Sequence, residues 1–302
     1  MPNSIDLQIQ STASDGKHTP TELVHMAKER GITVIAITDH DTVGGVAEAQ
    51  KAGEGLGVRV IPGIEMSVEE GGSHILGYGI DIGSSKLTEE LARFRQGRIT
   101  GAQKMVENLQ KAGFFIEWED VLREAKGVVA RPHIARALLA RPENKEKLGS
   151  VTTVHDVFEH ILADDGPYYV PRSHISAKDA ITLLHNCGGV AVWSHPALRF
   201  REDYEALEKF LQELATWGID GLEVFNPSHT EDDAEFIQGM AIKYRLLRTA
   251  GSDFHAKNES PLNAGGLRPA QTVGDYETFG FSTEDIILRL DEAISKYMNT
   301  SI

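Results

Sequence analysis

Short apolar, β-branched runs alternate with longer stretches of helical periodicity along most of the chain. IDLQIQS is followed by TPTELVHMAKERG, TVIAITDHD by TVGGVAEAQKAGEGLG, and VRVIPGIEMSVEEGG by HILGYGID. The rhythm resumes in the second half with SAKDAITLLHNCG, GVAVWSHP, REDYEALEKFLQELATWG, IDGLEVFNPSH, EDDAEFIQGMAIKYR and LLRTAGSDFH. Strand-like runs separated by helical ones predict βα units on a parallel or mostly parallel sheet, as a barrel or an open α/β layer. Thr19 before Pro20, with Glu22 three residues on, predicts an N-cap with its capping-box partner, and Gly31 predicts the stop.

The pattern changes between 84 and 173. LTEELARFRQGRITGAQKMVENLQKAGF, WEDVLREAKG, RPHIARALLA and TVHDVFEHILA carry helical periodicity with few β-branched runs between them. This segment is expected to be a mainly helical insertion, broken at Pro142 and again over 164–171, in a barrel-type domain made of 1–83 and 174–302. TEDIILRLDEAISKYM near the C-terminus is an amphipathic helix expected to pack on that domain.

With 302 residues, 41% of them hydrophobic, the chain can build a large core. Thirty basic against 45 acidic residues give a formal charge of -15, which offers duplex DNA no electrostatic footprint. A phosphorylated substrate must therefore be gripped locally, and bound cations would invert the local potential. The single cysteine, Cys187, excludes an internal disulfide framework and a thiolate zinc cluster. No signal-peptide pattern and no membrane span stand out, so a cytoplasmic protein with no membrane association is expected.

Acidic and imidazole residues recur at the predicted strand ends, where barrels and open α/β sheets place their sites. In ITDHD, alternation sets His40 opposite Asp39 and Asp41 and makes His40 the inward candidate. Glu65 closes its strand, His74 opens the next, His195 ends GVAVWSHP, and Asp253 and His255 share one side of SDFH. Asp15 follows the first strand, where Gly16 permits a tight turn. A lone strand-end histidine is usually structural, but convergence from separate strands predicts a metal cluster. Imidazoles mixed with carboxylates suit manganese, zinc or iron better than calcium.

The ordered landmarks DLQIQS, SDG, TDHD, PGIE, HILGYGID, SHP, NPSH and GSDFH resemble the polymerase and histidinol phosphatase (PHP) superfamily. The resemblance is to its bacterial phosphoesterases similar to nucleoside 3′,5′-bisphosphate phosphatases and 5′-to-3′ RNA exonucleases. It implies a distorted seven-stranded (β/α) TIM-like barrel with two divalent ions and room for a third. It also implies ligand sets: Glu65 and Asp253 with positions 8 and 10, Glu65 with His74 and His195, and Asp15 with His40 and His255. The family carries histidines where this chain has Gln8 and Gln10, so the first metal position is expected to be weakened. Two readings follow: a working phosphoesterase, or a hydrolysis-impaired phosphate- or nucleotide-binding protein.

The remaining candidates concern phosphate. Arg131 and His133 in VVARPHIARALLA can meet phosphate at a helix start, with Arg136 one turn on and free to face solvent. Arg172 and His174 in YYVPRSH form a second basic spot, and Ser14 can donate to a phosphate oxygen. His229 in FNPSH can orient phosphate or protonate the leaving oxygen; with Arg131 and Asp253 it completes the catalytic candidates. Tyr168, Tyr169 and Phe254 can stack on a base or pack in the core. The expected substrate is a 3′,5′-bisphosphonucleoside or the 5′ end of short RNA, hydrolysed by metal-activated water. An amidohydrolase acting on a C–N bond is the competing enzyme class. There is no P-loop and no dinucleotide fingerprint.

Overall fold

The computed structural model describes residues 3–70, 73–125, 129–163, 166–170, 175–257 and 270–298. Seven strands form one mixed sheet in chain order: β1 (Ile5–Ile9), β2 (Val34–Ile37), β3 (Arg59–Ser67), β4 (His74–Tyr78), β5 (Val190–Trp193), β6 (Gly221–Phe225) and β7 (Leu247–Ala250). Neighbours run parallel except β4, which is antiparallel to both β3 and β5. The sheet curls into a nearly closed barrel. Past the end of β7, Phe254 bridges Ile9, the Asp253 amide donates to the Gln8 carbonyl, and the Gln10 amide donates to the Phe254 carbonyl.

Gly251 makes this seam possible. A Cβ at that position would lie 2.4 Å from Gln8 Cβ and 2.6 Å from its backbone nitrogen, so only glycine lets the last strand approach the first. The expected start of the first helix, Pro20–Glu29, is present: Glu22 N–H donates to Thr19 Oγ1 at 3.2 Å and Thr19 N–H returns to the Glu22 carboxylate at 2.7 Å.

Apolar side chains fill three regions. The largest lies between the barrel and its outer helices, and the C-terminal helix Ile286–Met298 joins it through Ile286, Leu290 and Ile294. A second surrounds the helices that flank β2. The third belongs to the segment between β4 and β5, where helix Ser85–Lys111 is followed by Trp118–Glu124, Arg131–Ala140 and Val154–His160. Leu109, Ile134, Leu138 and Val157 are buried there without drawing on the barrel core, so this extensive helical insertion has a core of its own. Among the described residues no helix is long and apolar enough to cross a membrane.

Candidate metal centre

His40, Glu65 and His74 come from three places in the chain and meet at one end of the barrel. Glu65 lies near the C-terminal end of β3, and His40 forms an isolated parallel bridge with it just past β2. His74 opens its strand, yet the reversal of β4 pairs it with Ser67 and delivers it to the same end. His74 Nδ1 lies 3.0 Å and His195 Nε2 3.2 Å from Glu65 Oε1, and His40 Nδ1 is 3.5 Å from Glu65 Oε2. His255 Nε2 stands 3.5 Å from Asp15 Oδ1.

Among the described residues, two groups could hold a cation with ligand atoms within 4.8 Å of one another: Asp15, His40 and His255, and His40, Glu65 and His74. His40 belongs to both. His195 is not in either group, although its Nε2 is 3.3 Å from His74 Nδ1; Asp253 also lies outside them.

The expectation of a metal position weakened at Gln8 and Gln10 is corrected here. The histidines that build the two groups are intact, and both glutamine amides are taken up in hydrogen bonds. Gln8 Nε2 donates to Glu65 Oε1 at 3.1 Å and to Ser194 Oγ at 3.0 Å, while its Oε1 accepts from Asn226 Nδ2 at 3.1 Å. Gln10 Nε2 donates to Glu65 Oε2 at 2.6 Å, and its Oε1 accepts from Ser14 Oγ at 3.2 Å. Both amides are engaged as hydrogen-bonding groups that orient the carboxylate. The hydrolysis-impaired reading rested on their being failed ligands, and it loses that support.

The electrostatics fit cations. Burial alone would raise the Glu65 carboxyl, but the surrounding His40, His74 and His195 rings outweigh it and hold it well below its ordinary range. Asp15 is likewise held low against its burial by His255, His40 and His133. Asp253 goes the other way: burial and then repulsion from Glu65, Glu223 and Asp15 push it well up. Burial drops His40 to about 4, so its ring is neutral and able to ligate. His40 Nδ1 and Asp253 Oδ1 are buried without a hydrogen-bond partner among the described residues. Bare donors beside crowded carboxyls are the condition a divalent cation relieves. Backbone conformation adds to this, since Asp41, His195 and Asp253 all have positive φ, at 51, 29 and 49°.

Several supporting roles were not readable from the sequence. Asp39 does not reach a group; it accepts from Ser11 N at 2.6 Å, Ser11 Oγ at 2.7 Å and Ser14 Oγ at 2.7 Å, fixing the loop that carries Asp15. Asp41 pairs with buried Arg98 of the insertion. Glu223 accepts the His195 amide at 2.8 Å and Asn226 Nδ2 at 3.1 Å. No periodicity marks Arg98 or Glu223, because their partners lie far away in sequence.

Of the phosphate candidates, His133 accepts the Ala130 amide through Nδ1 at 2.9 Å and is dropped to about 4 by burial. Arg131 lies over the rings of Phe158 and Tyr169, 5.3 and 5.2 Å from their centroids, and donates to the Leu162 carbonyl at 3.3 Å. Arg136, expected to be free to face solvent, is half-buried, and Nη2 donates to the Asp15 carbonyl at 3.4 Å. Tyr168 stacks edge-on against Phe114, and Phe254 is buried against His18, so both have packing partners. His229 Nδ1 lies 2.9 Å from the Val224 carbonyl, which fixes the proton on that nitrogen and leaves buried Nε2 bare; burial holds the ring down to about 4. Arg172 and His174 lie outside the described residues.

The profile described as PHP domain matches residues 6–224. The chain is 33% identical to a 5′-3′ exoribonuclease of Haemophilus influenzae over 257 residues, covering 84% of this chain and 91% of that one. It is 34% identical to a 3′,5′-nucleoside bisphosphate phosphatase of Chromobacterium violaceum over 266 residues, 87% of this chain and 90% of the relative. Among solved structures, an amidohydrolase from Chromobacterium violaceum with bound SO4 and no metal superposes with a TM-score of 0.82 at 32% identity, covering 96% of this chain and 97% of that chain.

Proposed function

The chain belongs to the PHP domain family of metal-dependent phosphoesterases, and we propose that its substrate is a 3′,5′-bisphosphonucleoside or the 5′-phosphorylated end of a short RNA. The observation that carries this reading is that Asp15, His40, His255, Glu65 and His74 form two adjoining groups that could hold cations. Two cations side by side would suit a phosphoryl group. When bound, manganese, zinc or iron would lower the pKa of a water molecule and neutralise charge on the phosphoryl oxygens.

The chain's own residues do the rest. Asp15, His40 and His255 would hold one ion, Glu65 and His74 with the adjacent His195 would hold the other, and Asp253 lies beside them. Neutral His133 and the Arg136 guanidinium lie on the Asp15 side, where they grip phosphate. Ser14 adds a hydroxyl. Arg131 extends the grip toward a second phosphate. His229 Nε2 has no other partner among the described residues and hydrogen-bonds a protonated phosphoryl or leaving-group oxygen. A bound sulfate in the Chromobacterium violaceum structure and the nucleotide-directed names of both relatives support the substrate class.

The test is phosphate release from a 3′,5′-bisphosphonucleoside and from a 5′-phosphorylated oligoribonucleotide, with manganese, zinc or iron, against a simple amide and duplex DNA. Release from the first two, ended by EDTA and lowered at least ~100-fold by His40→Ala, is expected. Amide hydrolysis without phosphate release under all three metals would overturn the proposal.

A further inference from the structure

Helix Ser85–Lys111 belongs to the insertion, yet one of its side chains enters the barrel rim. Arg98 is 5% exposed, and its Nε donates to Asp41 Oδ2 at 2.7 Å. Its Nη2 donates to the same oxygen and to Ser67 Oγ at 2.9 Å. The other oxygen of Asp41 accepts the Ser67 amide at 2.9 Å. A guanidinium, a carboxylate and a hydroxyl are thus locked together with little water around them.

The junction touches the backbone of three residues that carry the metal groups. Asp41 follows His40 directly, and its amide donates to the Glu65 carbonyl at 2.9 Å. Ser67 is the register partner of His74 across the β3–β4 pair. Asp41 holds this place at φ 51°, a left-handed conformation that aspartate tolerates better than most residues. Stability alone is a poor reason for the arrangement, since desolvating a buried ion pair costs about as much as its attraction returns.

We infer that Arg98 is a positioning residue for the metal centre: by clamping Asp41 and Ser67 it sets where His40, Glu65 and His74 stand, and so makes cation binding depend on docking of the helical insertion. The inference rests on the metal-centre reading above. It assigns the insertion a task in the metal centre. A guanidinium is required because one donor fork must reach two acceptors on different strand ends, which a lysine ammonium on a flexible stem does poorly.

The experiment measures Mn2+ affinity by titration calorimetry, without substrate, in wild type, Arg98→Met, Arg98→Lys, Ser67→Ala and the double variant Arg98→Met/Asp41→Asn. Outer partners of metal ligands typically govern affinity by about 10–100-fold. A rise of that size in the Mn2+ dissociation constant is expected for Arg98→Met, with a partial return in Arg98→Lys and a smaller loss in Ser67→Ala. The double variant removes both charges, so no lone buried charge remains to unfold it, and it should match Arg98→Met in affinity. A merely structural role predicts lower melting temperatures with Mn2+ affinity unchanged, and that result in the double variant or in Ser67→Ala overturns the inference. Wild type that binds no Mn2+ overturns the metal centre and this inference together. Wild type that binds Mn2+ but releases no phosphate overturns only the substrate proposal.

Discussion

Glu65 is the residue on which the centre converges. Its two oxygens face His40, His74 and His195 on one side and the amides of Gln8 and Gln10 on another, with Ser194 Oγ at 3.1 Å. Gln8 also accepts from Asn226, so removing it breaks three hydrogen bonds, whereas removing Gln10 breaks two. Each buried hydrogen bond contributes about 0.5–1.5 kcal/mol. Gln8→Met is therefore expected to lower unfolding free energy more than Gln10→Met, by roughly that amount, in urea melts. Because the amides act as donors and not as ligands, the ranking should survive in EDTA; a ranking seen only with metal present would contradict this. Asp15, His40, Glu65, His74 and His255 were legible in the sequence because each stands at a strand end, a position that alternation and turn residues reveal. The glutamines' work was not legible, since an amide reads the same whether it coordinates or donates. Arg136 was misplaced for a related reason: helical spacing gives an azimuth, but which neighbour lies there depends on how the insertion docks.

At the level of elements, two features decide where the chemistry sits. Reversal of β4 turns a strand-opening histidine into one at the ligand end, and closure of β7 onto β1 brings Asp253 and His255 beside Gln8 and Gln10. The βα rhythm made a mostly parallel sheet readable in advance, and loss of β-branched runs marked the helical insertion. The reversal was not readable, because a short connection between β3 and β4 carries no periodic signal of its own. Closure depends on Gly251, where an added Cβ would press on Gln8 backbone and Cβ atoms that cannot move without breaking the seam. Gly251→Ala is expected to cost roughly 1–3 kcal/mol or more. Hydrogen exchange should show the loss first at the Asp253 and Gln10 amides that cross the seam, while the Leu109 and Ile134 amides inside the insertion core keep their protection. Uniform loss across both cores would refute the local account.

Across the whole molecule, a formal charge of -15 is combined with acidic groups carried deep inside, and each site of burial has its own pH signature. Asp6 shows the consequence away from the metal groups. Its carboxyl joins three distant parts of the chain, accepting from Gln8 N at 3.3 Å, Ser252 N at 2.9 Å, Ser252 Oγ at 2.6 Å and Gly274 N at 2.6 Å. Burial nevertheless outweighs these donors and raises it from 3.8 to about 6. The folded state then holds a proton that the unfolded chain has released between those two values. Its contribution to stability is full below 3.8 and is lost as pH rises through about 6, an amount of about 3 kcal/mol. His40, His133 and His229, held down to about 4 by burial, act with the opposite sign, gaining stability as pH rises from 4 toward 6.5. The Asp6 share must therefore be isolated as the difference between wild type and Asp6→Asn. The variant is itself destabilised by about 1–3 kcal/mol, because both Asp6 oxygens face backbone N–H groups and an amide NH2 would meet one of them. In urea melts between pH 4 and pH 7 the advantage of wild type over Asp6→Asn should shrink steadily. An advantage that grows with pH would mean that the four donors, and not burial, govern this carboxyl.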